Sequence, residues 1–180
     1  MAELLRLFLD RIPTPIGELM VVADGEGRLR AVDWTDDELH LRHLLRLHYG
    51  EHAFTLEPKR NPGGLTTAIS AYFDGDLRII DALPVATAGT PFQRAVWTAL
   101  RDIPCGTTLS YSDLARRIDR PSAVRAVGIA NGANPVAVVV PCHRVVGKGG
   151  ALTGYGGGIE RKRWLLAHEG VLLDFGPDPR

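Results

Sequence analysis

The stretch from Asn134 to Gly158, NPVAVVVPCHRVVGKGGALTGYGGG, constrains this chain more than any other. Val136 to Val140 is a short run of β-branched and small apolar residues, which predicts a fully buried strand rather than a helix. Pro141 has no N–H to give a ladder and should end that strand. Directly behind the break stand Cys142, His143 and Arg144: a soft nucleophile, a titratable base and a permanent cation. A glycine-rich tract from Gly147 to Gly158 follows, which lets backbone come close to a ligand.

A chain of 180 residues can form one domain or two small ones, each with a real core. Its net charge is zero but unevenly spread, with nine Lys/Arg against 14 Asp/Glu in residues 1–87 and 12 against seven in residues 88–180. The second half is therefore expected to face something anionic, nucleic acid first; the plainer alternative is two halves that attract each other. Cys105 and Cys142 are too few for a disulfide framework, and no metal-ligand spacing of the C-x-x-C kind occurs. A protein of a reducing cytoplasm is expected. MAELLRLFLDRIP, broken by Arg6 and Asp10, does not read as a secretory signal, and no stretch is long enough to span a bilayer.

Residues 4–12, 17–23 and 28–34 predict a small antiparallel meander, with Pro13 and Pro15 at the first turn and Asp24-Gly25-Glu26-Gly27 at the second. Thr35-Asp36-Asp37-Glu38 predicts a capping box, opening a helix that carries Leu41, Leu44, Leu45 and Leu47 and stops at Gly50. His40, His43, His48 and His52 could share a metal by spacing, yet no thiolate or carboxylate accompanies them in a ligand pattern. A solvated helix face is the reading adopted, and no metal is expected. A further helix carries Leu65, Ala68, Ile69, Tyr72 and Phe73, and Leu77 to Ile80 reads as one more strand. PVATAGTP, from Pro84 to Pro91, is the best linker and places a boundary between residues 1–86 and 87–180.

Beyond the linker the chain turns mostly helical. Thr90-Pro91 opens a helix with Phe92, Val96, Ala99 and Leu100 inward. Ser110 is expected to cap a short helix from Tyr111 to Ile118, and Ser122 a second from Ala123 to about Asn131. Two short helices joined by a tight turn have the outline of a helix-turn-helix. The second is built of small residues with one long cation, Arg125; tightly packed core is the plainer reading of such a helix. Ile159 to His168 forms the last helix, ahead of a Pro-rich tail. The fold class is α+β: an N-terminal antiparallel sheet with helices, then a mostly helical half with a winged helix-turn-helix and an active-site strand.

A free thiol is only a few per cent ionised near neutrality, so Cys142 needs a base to act. Adjacent residues of an extended strand point to opposite faces, so His143 is not expected to touch Cys142 unless the backbone turns sharply; a bridging water is one solution. A carboxylate should orient His143 and support its cationic form. Glu169 is a candidate, with Glu160 and Asp113 also in contention. The plainer reading of Cys142 is an inert buried thiol.

Pro141-Cys142-His143-Arg144-Val145-Val146, with Asn134-Pro135 before it and Ala167-His168-Glu169-Gly170 after it, resembles the O6-alkylguanine-DNA alkyltransferases, the methylated-DNA–protein-cysteine methyltransferases. The likeness covers residues 88–171 through Phe92-Gln93, Val96-Trp97, Ser110-Tyr111, Arg125-Ala126-Val127-Gly128 and Leu152-Thr153-Gly154-Tyr155. The resemblance implies stoichiometric transfer of an alkyl group from O6-alkylguanine, and from O4-alkylthymine, to Cys142. It implies proton removal by His143 through a water, with Glu169 behind it, and a proton from the Tyr111 phenol toward guanine N3. Arg125 would fill the gap left by a flipped base, with Ser122, Ala126 and Arg144 also on the DNA side. Asn134 would tie the recognition helix to the active-site strand. The carbonyls of Cys142 and Val145 would read the exocyclic amine, and Tyr155 and the Gly156 N–H would border O6. Some relatives carry serine where this chain has Gly156. Double-stranded DNA would be the partner of a monomer with no cofactor and no metal. The rival readings are a non-catalytic binder of alkylated DNA, a plain helix-turn-helix regulator and a cysteine hydrolase, which would need an oxyanion hole and turnover.

Overall fold

The computed structural model describes residues 3–172, so the Pro-rich tail lies outside the described residues. β1 (Leu5–Thr14), β2 (Gly17–Asp24) and β3 (Leu29–Trp34) form the expected antiparallel meander. Pro13 does not interrupt β1. It stands opposite Glu18, beyond the Leu5–Leu9 stretch that has a second neighbour, so its missing N–H breaks no ladder there. That second neighbour is β4 (Phe54–Pro58), parallel to β1, which completes a sheet of order β3-β2-β1-β4. The sheet is thus mixed rather than wholly antiparallel; a five-residue strand offers too little alternation to be seen in sequence.

β2 is buried on both faces, and its side chains alternate between two cores. Met20 and Val22 meet Leu41 and Leu45 of α1 (Glu38–Tyr49) on one side. Leu19, Val21 and Ala23 face a larger core shared with α2 (Leu65–Phe73) and with Val96, Leu100, Val127, Val136 and Leu165 of the second half. The predicted cap of α1 does not form. Thr35–Asp37 is a 3-10 turn with no side-chain cap bond, because the Glu38 carboxylate is taken by Arg11 and Arg42. Leu77 to Ile80 is not a strand either; Ile79–Ala82 is a 3-10 turn that buries Ile80.

The residues read as a linker lie along β3, where the Leu29 N–H donates to Pro84 C=O at 2.8 Å and the Ala86 N–H to Leu29 C=O at 2.9 Å. α3 (Pro91–Arg101) then starts with a complete capping box: Thr90 Oγ1 accepts from the Gln93 N–H, and Gln93 Oε1 from the Thr90 N–H. β5 (Leu109–Ser110) leads into α4 (Tyr111–Arg117), capped by Ser110 as expected. α5 (Val124–Gly132) is not capped by Ser122. Its N-cap is Ala123, without a side-chain bond, and the turn is closed by the Ala123 N–H donating to Arg120 C=O after Asp119 takes a left-handed φ of 56°. Val127 and Ala130 face inward, and the Trp97 indole N–H of α3 donates to Ala130 C=O at 2.9 Å. β6 (Val145–Val146) pairs in parallel with β5, and α6 (Ile159–His168) closes the described chain.

Candidate active site

The valine run does not form the predicted strand. Val136 makes one bridge to Val32 of β3; the chain then coils, with Val140 N–H donating to Val136 C=O and Cys142 N–H to Val140 C=O. Val138 sits at φ 69°, a left-handed conformation that costs a β-branched residue roughly 1–3 kcal/mol. Asn134 holds the coil shut. Its Nδ2 donates to Val140 C=O at 2.7 Å, and its Oδ1 accepts from the Val136 N–H at 3.0 Å. Strand propensity is overruled here by a side-chain amide that supplies the partners a ladder would have given. Cys142–Arg144 is consequently a 3-10 turn, and the strand of the site is the short β6 behind it.

The backbone therefore turns between Cys142 and His143 instead of running extended. His143 and Glu169 are buried, and His143 Nε2 lies 2.9 Å from Glu169 Oε1. Of the three carboxylates in contention, Glu169 is the partner; Asp113 binds Ser110 and Arg116, and Glu160 binds Arg163. Burial alone would raise the Glu169 pKa, but His143 and Arg144 outweigh it and hold the carboxyl well below the usual range. An ionised carboxylate only accepts, so the neutral imidazole carries its proton on Nε2. Nδ1 is then the lone-pair nitrogen, and it is buried without a hydrogen-bond partner. Burial pushes the His143 pKa down against the pull of Glu169, which keeps the imidazole neutral and ready to take a proton.

Arg144 does not face DNA. It is 1% exposed, donates from Nε to Glu169 Oε2 at 2.9 Å and from Nη2 to Oε1 at 2.8 Å, and spends Nη1 on Ile103 C=O at 2.7 Å. Its charge neutralises the buried carboxylate, which leaves nothing for a phosphate. Cys142 is a thiol at rest: burial raises its pKa, and Asn134 and Lys162 only partly oppose that. Cys142 is therefore not held as a standing thiolate.

Two contributors escaped sequence reasoning. Lys162 of α6 is fully buried, and its Nζ donates to Val145 C=O at 2.6 Å and to Thr153 C=O at 2.8 Å. Burial brings its pKa down to about 8. It fixes the Val145 carbonyl and the glycine-rich tract together. Tyr72 of α2, also fully buried, donates its hydroxyl to Glu169 Oε1 at 2.8 Å. Lys162 was legible in principle, since Lys162, Leu165, Leu166 and Glu169 share one helical face. Nothing marked Tyr72.

A cavity of about 60 Å³ opens beside Cys142, lined by Asn134, Ala137, Tyr155, Gly156 and, from the first half, Trp34 and His40. Tyr155 turns a buried hydroxyl into this region, and burial raises its pKa, so it stays a phenol. Gly157 cannot carry a side chain, because a Cβ would stand 2.5 Å from Trp34 Nε1. Tyr111 heads α4, half-buried, its hydroxyl 3.4 Å from Thr153 Oγ1. Ser122, Arg125 and Ala126 are exposed on the turn and first turn of α5, together with Ile129. His40 pairs with Asp33, His48 stacks on Trp97, and no group of three metal-ligating residues occurs among the described residues.

An exposed two-helix unit beside a buried cysteine with its histidine–glutamate pair defines a thiol enzyme of the helix-turn-helix class. Family models agree on both halves: residues 9–87 match the 6-O-methylguanine DNA methyltransferase ribonuclease-like domain, and residues 91–171 match the DNA binding domain of the same family. The chain belongs to the O6-methylguanine-DNA methyltransferase family. It is 53% identical, over 94% of its length and 99% of the relative's, to the methylated-DNA–protein-cysteine methyltransferase of Salmonella typhimurium, and 37% identical to that of Haemophilus influenzae over 92% and 87%. The crystal structure of the Mycobacterium tuberculosis O6-methylguanine methyltransferase superposes with a TM-score of 0.74 at 38% identity, covering 91% of this chain and 92% of that one. A structure of the Mycobacterium tuberculosis protein in complex with DNA gives a TM-score of 0.72 at the same identity and coverage.

Proposed function

We propose that this protein repairs DNA by moving the alkyl group of O6-alkylguanine, and of O4-alkylthymine, onto Cys142, once per molecule. The observation that carries this reading is the pair of histidine nitrogens in the residue after Cys142: Nε2 committed to Glu169 and Nδ1 left buried and unpartnered. The thiol proton passes through a water to His143 Nδ1. Sulfur attacks the alkyl carbon in line, the carbon–oxygen bond breaks with its electron pair going to the base, and Tyr111 gives its phenolic proton to guanine N3. The products are a thioether on Cys142 and an unmodified guanine, once the proton on His143 returns through water to the Tyr111 phenolate. A thioether is a poor leaving group, and no residue of the site is placed to remove it, so the protein is spent.

Delivery follows from the exposed face of α5. Arg125 enters the base stack from the minor groove, with Ser122 and Ala126 against the backbone, and offsets part of the few kcal/mol that unstacking costs. The flipped base is bordered by Tyr155 and the Gly156 N–H and read by the carbonyls of Cys142 and Val145, the latter held by Lys162. Asn134 keeps the coil and the end of α5 in register. Residues 1–86 act as a scaffold and 87–180 as the DNA-binding, alkyl-accepting part of a monomer working in the cytoplasm, without metal or cofactor. No helix among the described residues is long and apolar enough to cross a membrane.

The test is incubation with excess O6-methylguanine duplex followed by intact-protein and peptide mass spectrometry. One methyl group on the Cys142 peptide and no second event is the expected result. Several repaired lesions per protein, or tight binding with no transfer, would overturn it.

A further inference from the structure

The first half of the chain reaches the His143–Glu169 pair at one atom. Glu169 Oε1 accepts from Tyr72 Oη at 2.8 Å, His143 Nε2 at 2.9 Å and Arg144 Nη2 at 2.8 Å, while Oε2 takes Arg144 Nε. A carboxylate oxygen offers about two lone-pair sites, so three donors must share it. Charge drawn toward the phenol is not available to the imidazole. We propose that Tyr72 is a positioning residue for alkyl transfer, setting the proton affinity of His143 through the Glu169 oxygen that the two share. This rests on the reading of Cys142 as the alkyl acceptor.

Packing does not account for the hydroxyl. The ring meets Phe73 and His168 edge-on, each at 5.2 Å between centroids, contacts that a phenylalanine would also make. The hydroxyl adds only the bond to Glu169. Burial and the neighbouring Glu169 raise the Tyr72 pKa, so it remains a donor across the working pH range. The charged and titratable groups around the pair are Glu169, Arg144 and Lys162 toward His143, and Arg144 and Cys105 toward Tyr72. Arg144 keeps its charge throughout, since Glu169 raises its pKa despite burial.

The sign follows. Tyr72→Phe removes a donor from Oε1, leaves more negative charge facing Nε2 and stabilises the imidazolium. Neutral His143, the form that accepts the thiol proton, then prevails only at higher pH. The acid limb of the single-turnover rate profile should move up by roughly one pH unit, the lower end of the worth of one hydrogen bond to a charged group. The experiment compares wild type and Tyr72→Phe in that profile, with a nitrogen-15 NMR titration of His143 in the Cys142→Ser form of each. Replacing Tyr72 by 3,5-difluorotyrosine, a stronger donor, should move both limb and titration the other way, and it decides the matter if Tyr72→Phe does not fold. An unmoved limb and titration overturn the proposal, even if the plateau rate or melting temperature falls. If wild type transfers no alkyl group, the acceptor reading fails, and the NMR titration still judges Tyr72.

Discussion

Lys162 offers a test in which structure fixes both sign and size. A lysine with no exposed surface and a pKa of about 8, against 10.5 in a free chain, is held in its charged form at a cost. Below pH 8 both folded and unfolded states carry the proton. Between about 8 and 10.5 only the unfolded state keeps it, so stability rises with pH by linkage. At about 1.4 kcal/mol per unit, that interval is worth about 3 kcal/mol. Lys162→Met removes this slope. At neutral pH its own effect is a smaller difference of two costs: two carbonyls lose a donor at about 1–3 kcal/mol each, while a buried charge disappears. The pH dependence is therefore the clean signal. The Cys142→Ser background is needed because the thiol acts electrostatically on Lys162, whereas Tyr72, Tyr155 and Cys105, whose pKa values burial raises, contribute alike to both curves and cancel in the difference. Urea unfolding of Cys142→Ser with and without Lys162→Met, from pH 7 to 10.5, should give stability curves that diverge by about 3 kcal/mol. Curves that run parallel through the window would refute the buried-charge argument.

Cys105→Ser should repair normally, while His143→Ala should lose rate at neutral pH and recover it only above the ordinary thiol pKa of about 8.5, because burial raises Cys142; overlaid single-turnover pH profiles would contradict this. Arg144→Ala should destabilise the fold by about 3–5 kcal/mol, since it leaves the Glu169 charge buried without its permanent counter-charge, yet keep the salt slope of DNA binding. Arg125→Ala should do the reverse, leaving the melting temperature alone and slowing repair of duplex DNA, as melting curves and single-turnover rates on duplex would reveal. Gly157→Ala should force the glycine-rich tract off Trp34 at about 1–3 kcal/mol and slow transfer, which thermal melts and repair rates would register.

Local chemistry was readable in the sequence where it acts over a few residues. The Thr90 cap, the Ser110 cap and the meander all obey patterns satisfied within one turn or one hairpin. Two of the misreadings involve partners far along the chain. Arg144 looked like a phosphate contact because its true partner, Glu169, lies 25 residues on; Tyr72 looked like core because its partner lies 97 residues on. Val136 to Val140 misled differently, since composition predicted a strand and one amide, Asn134, closed a coil instead. Lys162 stands in the charged run Glu160-Arg161-Lys162-Arg163, and only its register with Leu165 and Leu166 distinguishes it.

The bond pair between β3 and the coil before Cys142, Val32 N–H to Pro135 C=O and Ala137 N–H to Val32 C=O, both at 3.0 Å, has a consequence for solubility. β3 is an outer strand of its sheet, and such strands recruit other chains when left bare. Here the same residues that lead to the nucleophile, with Pro84 and Ala86 farther along, occupy that edge. An isolated first half would keep Pro84 and Ala86 but bare the edge at Val32, together with the part of the apolar face of Leu19, Val21, Ala23 and Trp34 that the second half covers. Such a fragment would associate with itself rather than persist as a folded monomer, which makes the repair loop a guard against aggregation as well as a carrier of the thiol.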